Sequence, residues 1–304
     1  MSTMTNNISK VALAGAAGSI GAPVLKELLA ACFEVTVLTR EGSSSTFPSA
    51  AKAVTVDYAS VESLRKALHG QDALVSTITT TGIEQQFKLF DAALVEGVSR
   101  VIPSEFGSDT TQVDNRKLPV YGDKVKIQEY LQEKTQGTKT SYTFVINNVF
   151  IDWGVQYNFL LNSKKKEISL YDGGDVEYSA TSLRSVAKGV VGVLKHPEET
   201  KNRFVKIDGI VLTQHKLFEI AKKAIGSDGW TVSEPNTSEV EAQGYEVLKS
   251  DPENVMGWVV PLLVKAIFSA ERKSKLTDTD NDLLGVPKNT EEEIATWIKE
   301  AAAK

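Results

Sequence analysis

Short apolar runs alternate with amphipathic segments through the first half of the chain. The run from Val11 to Ala14 precedes a segment in which Leu25, Leu28 and Leu29 recur at helical spacing. Strands are predicted at 11–14, 35–38, 54–56, 73–78, 100–102 and 142–146, and further helices at 61–68, at 85–96 and in a stretch ending near 134. Strand–helix alternation with short links predicts an α/β fold of the Rossmann type, a doubly wound parallel sheet covered by helices on both faces.

The second half of the chain is less regular. Helical patterns occupy residues 182–194, 213–225, 238–248, 255–268 and 291–302, and a strand pattern at 203–207 could rejoin the sheet. We therefore predict two domains. Residues 1–155 form the Rossmann domain, with 182–210 rejoining it, and residues 156–304 form a smaller, mostly helical lobe.

A glycine-rich turn lies between the first predicted strand and the first predicted helix. Its sequence, Gly15-Ala-Ala-Gly-Ser-Ile-Gly21, is a GxxGxxG pattern. In this context the glycines let the backbone approach a pyrophosphate, and the helix N-terminus supplies N–H donors and the positive end of its dipole. A flexible turn without a ligand is the structural alternative. The predicted cofactor contacts in the turn are Gly15, Ala17, Gly18, Ser19, Ile20 and Gly21.

The end of the second predicted strand indicates which dinucleotide would bind. An NAD enzyme usually has Asp or Glu there to hold the ribose 2′-hydroxyl, whereas this strand ends in Thr39-Arg40. A guanidinium binds a 2′-phosphate in a fork, and a carboxylate would repel it. We therefore predict NADP(H) as the cofactor, with Arg40 on its 2′-phosphate. The alternative is an exposed arginine that merely ends a strand.

Further motifs carry a resemblance to a known family. They are Val101-Ile-Pro-Ser-Glu-Phe-Gly107, Lys124, Tyr142-Thr-Phe-Val-Ile146 and Asn148-Val-Phe-Ile-Asp-Trp-Gly154. With the glycine turn and Arg40, they make the chain similar to the NmrA-like, isoflavone-reductase-like family of atypical short-chain dehydrogenases. Pro-Ser-Glu-Phe-Gly is its most specific mark, and residues 196–202 resemble fungal members in particular. The resemblance covers residues 10–210 well and the remainder loosely.

Lys124 matches the catalytic lysine of that family, which opens the helix after the Pro-Ser-Glu-Phe-Gly strand. A physical argument favours the same residue, because cofactors bind outside the carboxyl ends of the strands, where only the first turns of the next helix can reach. A lysine half desolvated beside a nicotinamide can have a lowered pKa and exchange protons. Lys126 is the rival, although it points about 200° away around the helix. A solvated surface lysine is the alternative for Lys124.

A second pair of residues in the same predicted helix matches the active-site spacing of a different class of dehydrogenase. Tyr130 and Lys134 form the YxxxK pattern of ordinary short-chain dehydrogenases and would share one helix face. Lys134, however, lies roughly 15 Å beyond Lys124 along the helix axis, toward the wrong edge of the sheet. We therefore expect Tyr130 to be a packing residue.

Residues after other strands complete the predicted cofactor site. They are Ser76, Thr77 and Ile78 at the end of the fourth strand, Gln85 at a matching family position, and Asn147, Asn148 and Phe150 after the sixth strand. The last three should border the nicotinamide and the substrate. Packing in the core is the alternative role for Phe150.

Composition narrows the chemistry further. The chain has 34 basic and 39 acidic residues, a net charge of −5, which argues against a nucleic-acid partner. One Cys and three His provide no disulfide pair and no recognisable zinc site, so we expect no metal. Glycines interrupt the apolar stretch at 11–20, and the run at 259–268 is too short for a membrane span. We expect a soluble, cytoplasmic protein that does not bind membranes.

The resemblance implies a function. It implies an NADPH-dependent reductase that transfers hydride to a phenolic or polyketide-like aromatic substrate of enone, quinone-methide or benzylic-ether type. Lys124 would be its general acid/base, and the second lobe would close over the substrate. Two alternatives remain open: a non-catalytic, NADP-sensing regulator like NmrA itself, and an isomerase without net redox chemistry on the same fold. We expect a monomer or a homodimer.

Overall fold

The computed structural model describes residues 8–79 and 82–304. Within these ranges the strands are β1 (Lys10–Ala14), β2 (Glu34–Arg40), β3 (Lys52–Val56), β4 (Ala73–Ser76), β5 (Arg100–Ile102), β6 (Ser141–Ile146), β7 (Val149–Phe150), β8 (Glu167–Ser169), β9 (Tyr178–Thr181), β10 (Arg203–Lys206), β11 (Ile210–Leu212) and β12 (Thr231–Ser233). Seven of them form one parallel sheet in the order β3-β2-β1-β4-β5-β6-β10. This sheet confirms the predicted doubly wound α/β fold.

Helices cover both faces of the large sheet. The described α-helices are α1 (Gly21–Ala30), α2 (Val61–Leu68), α3 (Gln85–Val95), α4 (Val113–Arg116), α5 (Gly122–Lys134), α6 (Ile151–Gln156), α7 (Leu183–Lys195), α8 (Gln214–Ile225), α9 (Thr237–Ser250), α10 (Val255–Phe268), α11 (Asn281–Leu284) and α12 (Glu291–Ala302). Helices α1 and α7 lie on one face of the sheet, and α2, α3 and α5 lie on the other.

The alternation of side chains along each strand divides the interior into two cores. In β1, Val11 and Leu13 pack with α1 and α7, whereas Ala12 and Ala14 face α2, α3 and α5. Both pairs are fully buried. Burial on both faces explains why the strands read as short continuous apolar runs rather than as alternating patterns.

The strand order fixes where a ligand can bind. The chain leaves β1 toward β2 and β3 on one side and returns to β4 on the other, so the order reverses at β1 and β4. Such a switch point opens a crevice at the carboxyl edge of a parallel sheet. The glycine turn after β1 and the segment after β4 therefore meet at this crevice.

The second half contains more β-structure than the sequence pattern indicates. Beside the helices, β11, β9 and β7 form a three-stranded sheet, and β12 pairs with β8. The mostly helical description of this lobe thus misses two small sheets. Strand β10 pairs in parallel with β6, while the division of the chain at residue 155 stays a prediction.

Among residues 8–79 and 82–304, no helix is long and apolar enough to cross a bilayer. Nor do these residues include a cluster of three or more His, Cys, Asp or Glu side chains placed to hold a metal ion.

Candidate active site

A cavity of about 520 Å³ opens at the carboxyl edge of the large sheet. Its walls come from the glycine turn, the segments after β4, β5 and β6, the start of α5, and one face of α10. Lys124 is the one charged side chain among the described residues that line it. The crevice predicted by the strand order and the predicted catalytic residue therefore coincide.

Two positions of the turn must be glycine because the neighbouring backbone leaves no room for a Cβ atom. A Cβ on Gly15, whose φ is +82°, would lie 2.7 Å from the Thr77 carbonyl oxygen. A Cβ on Gly21 would lie 2.1 Å from the Gly15 carbonyl oxygen. Thr77, which follows β4, is bonded to the end of β1, because its N–H and its hydroxyl both donate to the Ala14 carbonyl at 2.9 Å. The turn is thus held tightly against β1 and β4.

The remaining residues of the turn face the crevice. Gly18, Ser19 and Ile20 line the cavity, and Ala17 is exposed beside them. Helix α1 begins directly after Ile20, and within the described part of the chain no side chain caps it. A helix start that no side chain caps, at the positive end of the helix dipole, suits an anion. The turn therefore fits the pyrophosphate of a dinucleotide.

Arg40 is exposed at the carboxyl end of β2. Among the residues that the structure describes, no ion pair engages its guanidinium, so it is available to a phosphate. The buried ring of Tyr58 lies close to it, and the Tyr58 hydroxyl donates to the Leu38 carbonyl at 3.2 Å. Burial raises the pKa of Tyr58 to about 12, although the Arg40 charge acts in the opposite direction.

Lys124 lies in the first turn of α5 and is partly buried. Its Nζ donates to the carbonyl oxygens of Glu105 and Phe106, at 2.8 and 2.6 Å. A Cβ on Gly107 would lie 3.3 Å from that Nζ, so the glycine of Pro-Ser-Glu-Phe-Gly leaves room for the ammonium group. Burial lowers the pKa of Lys124, and the Glu105 carboxylate opposes that shift.

The two rival lysines lie outside the cavity. Lys126 is exposed and donates to Asp123 at 2.8 Å. Lys134, the last residue of α5, is exposed and pairs with Glu133. Tyr130 packs edge-on against Phe87, with ring centroids 5.1 Å apart, as expected of a packing residue. The YxxxK spacing therefore has no part in this site.

The asparagines after β6 differ in their roles. Asn147 is fully buried, accepts from the Gly107 N–H at 3.0 Å and donates to the Asn148 carbonyl at 3.0 Å, so it fixes the loop beside Lys124. Asn148 has a φ of +54°, lines the cavity and donates to the Ser274 hydroxyl at 2.9 Å. Its buried Oδ1 accepts no hydrogen bond in the described protein, which leaves an acceptor for a ligand.

The structure brings together part of the predicted site. The predicted residues on the cavity wall are Gly18, Ser19, Ile20, Thr77, Ile78, Lys124, Asn148 and Phe150. Those off the wall are Gly15, Ala17, Gly21, Arg40, Ser76, Gln85 and Asn147. Ser76 is buried inside β4, and Gln85 is exposed at the start of α3 while its neighbour Gln86 turns inward to accept from the Ser104 N–H. Direct cofactor contacts for these residues stay predictions.

Sequence reasoning missed the opposite wall of the cavity. One stripe of α10 forms it, with Trp153, Tyr157 and Phe159 alongside. The stripe consists of Met256, Val259, Val260, Leu263 and Ile267. Its spacing of three and four residues is visible in the sequence, but nothing local shows which element it faces.

Tyr121 is a further missed residue. It lies one turn before Lys124, lines the cavity, and packs with Leu118 against Leu262 and Ala266 of α10. This contact fixes α10 beside the start of α5, so the helix carrying Lys124 and the helix of the opposite wall are held together.

A glycine turn at the switch point of a parallel sheet, beside a lysine in an apolar cavity, defines a dinucleotide-dependent oxidoreductase of the short-chain type. The chain belongs to the NmrA-like family, whose profile matches residues 7–237. The resemblance seen in the sequence is therefore confirmed.

Similar proteins agree with this class. The chain is 31% identical over 301 residues to the oxidoreductase poxI of Penicillium oxalicum, which covers 95% of this chain and 93% of that protein. It is 32% identical over 302 residues to the oxidoreductase aprR of Aspergillus flavus, with 95% and 99% covered. A binary complex of leucoanthocyanidin reductase with NADPH from Vitis vinifera shares the fold, with a TM-score of 0.77, 20% identity, and 95% and 99% covered. The prediction of an NADP-dependent oxidoreductase is borne out at this level.

Proposed function

We propose that this protein is an NADPH-dependent reductase of an aromatic, phenolic or polyketide-like substrate, with Lys124 as its general acid. One observation carries the proposal. A single cavity joins a dinucleotide-binding turn, one partly buried lysine and an apolar, aromatic wall. That combination suits hydride and proton delivery to an apolar molecule.

The chain offers a distinct set of groups to each part of the dinucleotide. The turn from Gly15 to Gly21 would hold the pyrophosphate, and Arg40 would hold the 2′-phosphate. The cavity wall next to Lys124 would border the nicotinamide, through Thr77, Ile78, Asn148 and Phe150. When bound, NADPH supplies the hydride.

Lys124 would supply the proton. Two of its three N–H groups are engaged by the Glu105 and Phe106 carbonyls, which leaves one for an oxygen of the substrate. As hydride adds to the electrophilic carbon, that N–H can protonate the oxygen on which negative charge develops. Because burial lowers the pKa of Lys124, its ammonium is a stronger acid than an exposed lysine.

The cavity wall indicates the substrate class. Phe106, Phe150, Trp153, Tyr157 and Phe159 surround the space with aromatic rings. Flat apolar molecules bury well against such rings. The free Oδ1 of Asn148 would accept a hydrogen bond from a hydroxyl or amide N–H, so it suits a phenol or the nicotinamide carboxamide.

The reaction can be tested with NADPH deuterated at the transferred position and a panel of aromatic enones, phenolic benzylic ethers and quinone-methide precursors. The proposal expects oxidation of NADPH together with deuterium in the product, read by mass spectrometry. Tight NADPH binding without turnover of any panel member would favour an NADP-sensing regulator. Conversion of a panel member without consumption of NADPH would favour an isomerase.

Cofactor preference provides a prediction for Arg40. Arg40→Ala should weaken NADPH binding about tenfold or more, because a hydrogen bond to a charged phosphate contributes about 1.5–3 kcal/mol. NADH binding should change little. Lys52→Ala is the matched control, since the strand register pairs Lys52 with Thr36 and Arg40 with Val56, which puts Lys52 about 13 Å away along the sheet. Isothermal titration calorimetry gives the affinity of the wild type and of each variant for NADPH and for NADH. Equal losses of affinity for the two cofactors in Arg40→Ala would contradict the assignment.

A further inference from the structure

A buried carboxylate lies behind the lysine of the candidate active site. Glu105 is 1% exposed, in the loop that follows β5. Its Oε1 accepts from the Thr110 hydroxyl at 2.7 Å and from the Gln128 side-chain amide at 2.8 Å. Thr110 and Gln128 are fully buried and also bonded to each other, at 2.8 Å. Donors placed in this way stabilise an ionised carboxylate away from water.

Helix α5 holds Glu105 from two sides. Lys124 and Gln128 are four residues apart and therefore lie on the same face of the helix. Lys124 donates to the Glu105 backbone carbonyl, whereas Gln128 donates to its carboxylate. Glu105 thus links the position of the lysine ammonium to the position of a negative charge.

The surrounding charges favour ionisation of this pair. Arg116 of α4 donates to the side-chain amide oxygen Oε1 of Gln128 and pairs with Glu129 at 2.8 Å, so a cation lies behind the network. Tyr121 also lies close to Glu105, and burial raises the pKa of Tyr121, so it remains neutral. The Arg272 charge lies close enough to Tyr121 to oppose part of this rise in its pKa.

Burial opposes the charges of both partners. Burial raises the pKa of Glu105 above its ordinary value, and the nearby Lys124 charge offsets part of that rise. Burial likewise lowers the pKa of Lys124 below its ordinary value, and the Glu105 charge offsets part of that fall. The Glu105 carboxylate acts on the ammonium group through space, since among the described residues the Nζ hydrogen bonds go to backbone carbonyls.

We propose that Glu105 is a positioning residue that keeps Lys124 protonated and aimed at the cavity. After Lys124 gives its proton to a substrate oxygen, the neutral amine faces the Glu105 carboxylate, which favours uptake of a new proton from water. The use of that proton in catalysis rests on the proposed function. The coupling between the two side chains does not, and it can be measured without substrate or NADPH.

Competitive labelling with acetic anhydride across a pH series, read by peptide mass spectrometry, gives the titration midpoint of each lysine. Glu105→Gln should lower the Lys124 midpoint by about one pH unit or more, which is about tenfold more neutral amine at a given pH. The titration midpoint of Lys126 in the same variant should not change. Glu133→Gln, which changes an exposed carboxylate farther along the same helix that pairs with Lys134, should leave both midpoints unchanged. Glu105→Asp keeps the charge and should restore most of the Lys124 midpoint.

An unchanged Lys124 midpoint in folded Glu105→Gln would overturn the proposal, as would equal shifts of Lys124 and Lys126. If Glu105→Gln does not fold, Glu105→Asp provides the test, because it keeps the charge but draws the carboxylate one methylene away from the Lys124 ammonium group. This variant should lower the Lys124 midpoint in the same direction by a smaller amount, and no change would again reject the coupling. A protein that shows the coupling but oxidises no NADPH would refute the proposed reductase and leave this inference standing.

Discussion

Replacing Lys124 by methionine should lower kcat about 100-fold or more, because general acid catalysis typically contributes factors of this size. Methionine keeps the length and apolar stem of lysine but loses the proton and both hydrogen bonds to Glu105 and Phe106. NADPH binding should persist, since the glycine turn and Arg40 are untouched. Steady-state turnover of a panel substrate and calorimetric binding of NADPH measure the two effects separately.

Lys126→Met is the matched control for that experiment. Lys126 lies on the same helix, is exposed, and pairs with Asp123, so its loss should leave turnover unchanged. The pH profile adds a second check. A general acid works only while protonated, so wild-type kcat should fall as pH rises through the lowered pKa of Lys124, below the usual lysine range. Full activity of Lys124→Met would refute the role of this lysine.

Gly21→Ala should have the largest effect on stability. The added Cβ would lie 2.1 Å from the Gly15 carbonyl oxygen, a backbone atom that no side-chain rotation can move. We expect a loss of about 3 kcal/mol in the free energy of unfolding, at the upper end of overpacking costs. Because α1 must shift away from the turn, NADPH binding should also be lost. Urea denaturation and calorimetry test both expectations.

Gly122→Ala provides the control for Gly21→Ala. Gly122 is the first residue of α5, and its Cβ would meet open space. Alanine favours a helix over glycine, so this variant should be as stable as the wild type or slightly more stable. If Gly21→Ala unfolds at the same urea concentration as Gly122→Ala and binds NADPH normally, the close packing of the turn has no consequence for the site.

The main sheet could be predicted because its strands are buried on both faces. Continuous apolar runs such as Val11–Ala14 and Ala73–Val75 separate clearly from the amphipathic helices that follow them. The fourth strand was predicted to extend to Ile78 but ends at Ser76, since Thr77 and Ile78 already belong to the cavity wall. Apolar side chains lining a cavity resemble strand residues in a sequence.

The small sheets were not predictable from local pattern. Strands such as Glu167–Ser169 and Thr231–Ser233 are too short to show a period of two. Each is defined by pairing with a distant segment, here across more than sixty residues. Their formation depends on tertiary packing rather than on local preference.

Only the part of the site that lies at the carboxyl edge of the large sheet was predictable from the sequence. The glycine turn and Lys124 both lie where the carboxyl ends of the strands meet, so motif and topology agree. The stripe of α10 and the Tyr121 contact depend on how α10 packs against the start of α5, for which the sequence contains no local signal. Glu105 belongs to the Pro-Ser-Glu-Phe-Gly motif, but its burial beneath Lys124 is visible only in three dimensions.

We expect one cavity to hold the dinucleotide and Lys124 together. A crystal structure of the protein soaked with NADP⁺ tests it most directly. We predict the pyrophosphate on the turn from Gly15 to Gly21, the 2′-phosphate at Arg40, and the nicotinamide ring beside the Lys124 ammonium group. A nicotinamide bound away from Lys124, or a dinucleotide that does not contact the glycine turn, would contradict this assignment of the site.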